Sequence, residues 1–318
     1  MMDSFAHDSV LMHETLEWLQ PRAGKLYADA TLGAGGHTAA ILDATAPDGR
    51  VVAVDRDLRA VEHARERLAA YGDRVQVLHG EFRDLPELLH AAGHMLVDGL
   101  VADLGVSSPQ LDDASRGFAF SQDGPLDMRM DETSSETALT LIARSSEQAL
   151  ADILYQFGDE RRSRAIARSI HAALAAGELS STGDLRRAVV KAIGRPPHSK
   201  TDPATRTFQA LRIAVNDELT QLEALVDCLP ELLADEAVAV LISFHSHEDR
   251  VVKHRLRNDA RLRVLTKRPI VPSEEEQSRN RRARSAKLRA AARRPRLAER
   301  TDSFADSVDY ADSGEVQP

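Results

Sequence analysis

A glycine-rich loop and two aspartates carry the clearest chemistry in this chain. The loop is "DATLGAGGHT", residues 29–38, with three glycines in four consecutive positions. It follows an apolar run, "KLYADATLG", and opens a helical one, "GHTAAILDAT". A helix N-terminus presents unpaired N–H groups and partial positive charge, so it favours an anion. Asp55 ends the next apolar run, "RVVAVD", nineteen residues after Gly36. An acid at that distance is placed to accept hydrogen bonds from ribose hydroxyls. NAD and S-adenosylmethionine both carry such a ribose, so Asp55 alone does not choose between them.

The glycine spacing narrows the choice. A dinucleotide fingerprint begun at Gly33 needs Gly or Ala where Thr38 stands, and no Gly-Lys-Ser/Thr phosphate loop is present. The loop carries neither Lys nor Arg, which suits a ligand without phosphate. S-adenosylmethionine fits: its carboxylate can use the helix end, and its sulfonium tolerates acids such as Asp29. A further apolar run, "LVDGLVADLGVSSPQ", delivers Asp103. Ligands of open parallel sheets sit outside the carboxyl ends of the strands, so Asp103 is expected in the same crevice.

These residues need a frame. From residue 25 to 110, apolar runs alternate with helical stretches of about 10–14 residues, the mark of βαβ units and a parallel sheet. From Asp113 to Thr205 no convincing strand occurs. An irregular "RGFAFSQDGPLDMRMD" precedes helices such as "SEQALADILYQFG" and "GDLRRAVVKAIG", with Ser146 and Thr182 as expected caps. A long helix is expected around 206–234, and then "EAVAVLISFHS" and "RLRVLTKRPIVPS" read as strands. The expectation is an α/β, Rossmann-like sheet interrupted by an inserted all-helical domain. Its boundaries fall at 1–112 and 206–296 for the sheet domain and 113–205 for the insert, with a disordered acidic tail over 297–318.

Composition removes several classes. Cys228 is the sole cysteine of 318 residues, which excludes an internal disulfide and a cysteine-cluster zinc site. Aromatics make up 4%, too few for an RNA-stacking sheet. The first residues lack the basic-then-apolar order of a signal peptide, and no run is long enough to span a membrane, so a cytoplasmic protein is expected. Net charge is −9, yet Arg250 to Arg296 is strongly basic and the tail is acidic, which suggests a polyanion-binding segment. Arg161, Arg164 and Arg168 fall on one helix face, where a plain solvated surface is an equal reading.

Several segments together resemble the MraW (RsmH) family, the bacterial 16S rRNA methyltransferases that make 4-methylcytidine. They are "HDSVL", "DATLGAGGH", "DLGVSSPQLD", "RGFAF" with "DGPLDMRMD", "TRTFQALRIAVNDEL", "ISFHSHEDRVVK" and "NRRARSAKLR", in family order from His7 to about Arg289. The resemblance implies S-adenosylmethionine as cofactor, held by Gly35, Gly36, His37, Asp55, Phe82, Asp103 and Gln110. It implies as partner a cytidine in the decoding region of 16S rRNA. Asp103 is the candidate acceptor for the target amine, and Ser107, Ser108 and Pro109 the adjoining wall, a partial match to the polar-Pro-Pro-aromatic motif of amino-methyltransferases. The RNA clamp is expected at Arg279, Arg281, Arg282, Arg284, Lys287 and Arg289. The chain departs from the family pattern at His247, at Asp159 in "FGDE", and beyond Pro295. His245 and His247 form "HSH", but with no third ligand evident no metal is expected. The rival readings are a DNA amino-methyltransferase, an NAD-dependent oxidoreductase and a non-catalytic RNA-binding protein. Oligomeric state is not set by any of these features.

Overall fold

The computed structural model describes residues 9–194 and 201–296. His7 and the expected tail over 297–318 lie outside the described residues. Seven strands form one sheet: β1 (Leu26–Asp29), β2 (Arg50–Asp55), β3 (Val75–His79), β4 (Val97–Asp103), β5 (Leu233–Ser243), β6 (Leu262–Val264) and β7 (Lys287–Arg293). Their order is β3-β2-β1-β4-β5-β7-β6, with β7 antiparallel between β5 and β6 and the first five parallel.

Helices α1 (Met12–Leu19), α2 (Gly36–Ala44), α3 (Leu58–Arg67), α4 (Leu85–Ala91) and α5 (Ser108–Asp112) accompany the first four strands. Between β4 and β5 run α6 (Ala138–Arg144), α7 (Glu147–Gly158), α8 (Ser163–Ala175), α9 (Thr182–Ile193), α10 (Thr205–Asn216) and α11 (Glu218–Leu232). Then come α12 (Ser246–Asn258) and α13 (Glu274–Arg279). The parallel strands are buried on both faces, as continuous apolar runs require. In β4, Leu100 and Ala102 pack toward α4, α11 and α12, while Val101 packs toward α1, α2 and α3.

The inserted helices bury a second core, with Phe118, Met128 and Ile142 among its members. Helix α10 belongs to that core through Phe208, Ala210 and Leu211, one helix beyond the boundary expected at residue 205. The single helix expected over 206–234 is two. Asp217 takes a left-handed φ of 49°, and Asn216 before it is held by Met128 O and Met130 N–H, both at 2.7 Å. Apolar periodicity runs on through this break, so the sequence hides it. The cap of α9 is Ser181, whose side chain accepts from Asp184 N–H; Thr182 is the first helical residue.

Strand β7 is the largest departure. "KLRAAAR" reads as a basic surface segment, yet Leu288 to Ala292 are buried between two strands. Alanines have weak strand preference, and here pairing with β5 overrides it. Much of the basic block is internally neutralised as well. Arg255 pairs with Glu223 and Asp227, Arg261 with Asp259 and Glu231, and Arg296 with Asp235.

Candidate active site

The sheet order reverses between β1 and β4, and a crevice of about 1000 Å³, open mouth included, lies outside the strand ends there. The glycine loop forms its floor. Gly35 caps α2 at φ 79°, and a Cβ on Gly36 would fall 2.0 Å from Ser9 Oγ, so only glycine lets the N-terminal segment lie against the loop. No side chain caps α2, which leaves the N–H groups of its first turn for a ligand. Asp29 does not face the crevice as expected. It is buried beneath the loop, accepting from Thr38 Oγ1 at 2.7 Å and Thr31 N–H at 3.0 Å.

Asp55 ends β2 at the crevice and accepts Gly33 N–H at 2.7 Å and Asp57 N–H at 2.8 Å. Burial pushes its carboxyl up to about 6, against the pull of those two bonds. A ribose hydroxyl donates best to the ionised form. With Asp55 as the ribose acceptor, affinity for S-adenosylhomocysteine is expected to be higher at pH 7–8 than at pH 5, where the carboxyl is mostly protonated. Titration calorimetry from pH 5 to 8 reads this directly, and a flat profile would contradict it. The sign for stability is opposite: a carboxyl raised from 3.8 makes the ligand-free protein less stable as pH climbs from 3.8 through about 6.

Asp103 ends β4, and its Oδ2 lies 3.5 Å from His37 Nε2 in the first turn of α2. Burial opposes charging this ring, but the carboxylates of Asp103 and Asp29 outweigh it and raise its pKa. Asp103 Oδ1 is buried without a hydrogen-bond partner, and so is Ser108 Oγ. Both residues line the crevice, with Pro109 beside them. Phe82 lines the crevice past β3, and Gln110 lines it beside Ser107. Gln110 is more engaged than expected: Oε1 accepts Ser107 N–H in a capping box, and Nε2 donates to Asp57 Oδ2 at 2.8 Å.

Beneath the site lies a network that the sequence did not reveal. Asp57 and Arg116 form a buried ion pair at 2.8 Å, and Arg116 also donates to the carbonyls of Arg129 and Met130. It ties the end of β2, α5 and the start of the insert together. Arg56 adds a second tie, to Glu81 and to Asn216 O. Phe244, Met130 and Arg282 also line the crevice, though only Arg282 was expected to matter.

The expected RNA clamp is only partly at the surface. Arg289 is buried and paired with Asp249 at 2.7 Å, so it is a structural residue and not a phosphate contact. Lys287 shares Asp249 at 3.4 Å, and Arg282 reaches across to Asp112 at 2.6 Å. Arg279 is exposed but partnered, whereas Arg281 and Arg284 are exposed with no partner among the described residues. On the insert, Arg161, Arg164 and Arg168 are exposed, with Glu147 3.4 Å from Arg168. The two histidines of "HSH" have ring centroids 6.0 Å apart but different partners. His247 faces Asp159 at 3.2 Å, and His245 caps α12 with Glu248. Glu218, buried like Glu248, completes a trio with the partly buried His245, but Arg212 holds both its oxygens, at 2.7 and 2.8 Å.

Known proteins resemble this chain over most of its length. The sequence model of the MraW methylase family matches residues 4–294. "Ribosomal RNA small subunit methyltransferase H" of Sorangium cellulosum (strain So ce56) is 56% identical over 287 residues, 90% of either chain. The protein of that name from Desulfotalea psychrophila (strain LSv54 / DSM 12343) is 47% identical over 286 residues, 90% of this chain and 97% of its own. Among solved structures, a putative rRNA-methylase from Clostridium thermocellum aligns with 91% of this chain and 100% of its own at 12% identity and a TM-score of 0.44, too distant to add to the fold described above. The match over nearly the whole chain, with the glycine loop, Asp55 and Asp103 at one crevice, makes this protein a member of the MraW methylase family.

Proposed function

We propose that the protein transfers the methyl group of S-adenosylmethionine to the 4-amino group of a cytidine in the decoding region of 16S rRNA, in the cytoplasm. The observation that carries this reading is Asp103, a carboxylate lining the same crevice as Asp55, with one oxygen, Oδ1, buried and without a partner. In this reading Asp55 accepts the ribose hydroxyls, Phe82 flanks the adenine, and the first turn of α2 with His37 takes the methionine end. When bound, the cofactor supplies an electrophilic methyl group on a sulfonium.

The cytosine amine is a weak nucleophile because its lone pair is shared with the ring. Asp103 accepts one amine hydrogen, which favours a pyramidal nitrogen and stabilises the positive charge that develops on it. Ser108 and Pro109 wall the base on the α5 side. The same carboxylate is placed to take the proton lost after transfer. Transfer of labelled methyl groups to small ribosomal subunits, free rRNA and duplex DNA tests the substrate class. Label in subunits or rRNA supports the reading, and label confined to DNA favours the amino-methyltransferase alternative.

The target must leave its stack to enter the crevice, which calls for a phosphate grip at the mouth. Arg281 and Arg284, with Arg279, Arg282 and Lys287 nearby, supply it on this reading. Replacing Arg281 and Arg284 by alanine is expected to lower the slope of log K against log salt by about 1.5, with affinity for S-adenosylhomocysteine unchanged. Filter binding across a salt series measures this, and an unchanged slope would remove these two residues from the interface.

A further inference from the structure

Two phenylalanine rings line the crevice among the described residues, and they follow the outermost of the five parallel strands. Phe82 follows β3 and Phe244 follows β5. In the order β3-β2-β1-β4-β5 they are four strand steps apart, about 19 Å at ~4.8 Å per step. The ribose acid Asp55 ends β2, beside the strand of Phe82, so the adenine end of the cofactor lies there. The glycine loop after β1 and Asp103 after β4 bracket the reacting centre. Phe244 lies one strand beyond, where the cofactor has no flat ring to offer.

The ring is held in place from below and behind. Part of it packs on the core with Ile242, and its backbone N–H donates to Glu248 Oε2 at 2.8 Å. The loop after β4 passes close against it: a Cβ built on Gly105, at φ 95°, would sit 3.6 Å from Phe244 Cδ2. The residues lining this crevice carry unpartnered buried polar atoms, Asp103 Oδ1 and Ser108 Oγ together with both ring nitrogens of His37 and Arg56 Nε. A π-face, an acceptor and a hydroxyl donor are what a cytosine extruded from its stack would need: a surface to stack on, a partner for its amine, and a partner for N3 or O2.

We propose that Phe244 is the stacking platform of the target cytidine, holding the base so that its amine meets Asp103 and a ring acceptor meets Ser108. This rests on the rRNA cytidine reading above. Phe244 is a specificity and positioning residue for the acceptor, as Phe82 is for the cofactor.

The test uses the full-length protein, small ribosomal subunits lacking the modification, and labelled S-adenosylmethionine. Stacking of one base on one ring contributes about 1–3 kcal/mol, so Phe244→Ala should lower kcat/KM for subunits roughly 5- to 150-fold. Affinity for S-adenosylhomocysteine should stay within about twofold. Phe244→Leu keeps bulk without a π-face and should fall with the alanine variant, while Phe244→Tyr and Phe244→Trp should restore most of the activity. Phe82→Ala should do the reverse and weaken cofactor binding first. Full activity in Phe244→Leu, or an equal loss of cofactor binding in Phe244→Ala, would overturn the proposal while leaving the functional reading intact. Wild-type protein that labels no cytidine would instead overturn the functional reading, and this inference with it.

Discussion

Replacing Asp103 by alanine is expected to slow methyl transfer by about 100- to 1000-fold at saturating cofactor, the usual effect of removing one preorganised electrostatic partner from a reacting centre. That factor corresponds to about 3–4 kcal/mol of transition-state stabilisation. The ground for it is the buried Oδ1 without a partner, held in place while Oδ2 faces His37. On the proposed reading, which gives the cofactor's ribose to Asp55 and its carboxylate to the first turn of α2, affinity for S-adenosylhomocysteine should change less than about threefold. Single-turnover kinetics with calorimetry on the same protein separates the two. A rate that recovers at high cofactor concentration would reassign Asp103 to cofactor binding.

Replacing Arg116 by alanine is expected to destabilise the protein by about 3–5 kcal/mol, since it leaves Asp57 buried and uncompensated. Thermal unfolding should shift down on the order of 10 °C. Two carbonyls, of Arg129 and Met130, lose their donor in the same step. The comparison that isolates burial is Arg59→Ala. Arg59 also holds two acids, Asp113 at 3.0 Å and Glu132 at 2.8 Å, but half its side chain is in solvent. Its loss should cost under about 1 kcal/mol. Equal shifts for the two variants would refute the role given to the buried network.

The positions of Asp103 and the glycine loop were legible in the sequence because strand ends are marked by where an apolar run stops, whereas Phe82 followed only from the family resemblance. The parallel strands read well for the same reason: burial on both faces makes the run continuous. Strand β7 did not, because its interior residues are alanines between arginines, and a basic surface segment has the same letters. Arg289 was misread with it; only the β5 pairing turns its side chain toward Asp249. The helix break at Asp217 was invisible because Asn216 is fixed by Met128 and Met130, far back in the chain. Asp57 was overlooked two residues past Asp55, since its partner Arg116 lies across another strand and the start of the insert. Local signals mark positions along one element; pairing between distant elements decides which of those positions face water, a ligand or each other.

The chemistry separates two ways of methylating a cytosine. Transfer to ring carbon 5 ordinarily needs a cysteine thiolate to activate the ring, and the single cysteine, Cys228, is packed in α11 with burial pushing its thiol up to about 12. Transfer to the 4-amino group needs only an acceptor such as Asp103. The most direct measurement is therefore the identity of the methylated nucleoside. Small ribosomal subunits are incubated with the protein and labelled S-adenosylmethionine, and their RNA is digested and resolved by liquid chromatography with mass detection. Label in 4-methylcytidine, lost in Asp103→Ala, is the predicted result; label in 5-methylcytidine, in another base or in a ribose would contradict the account.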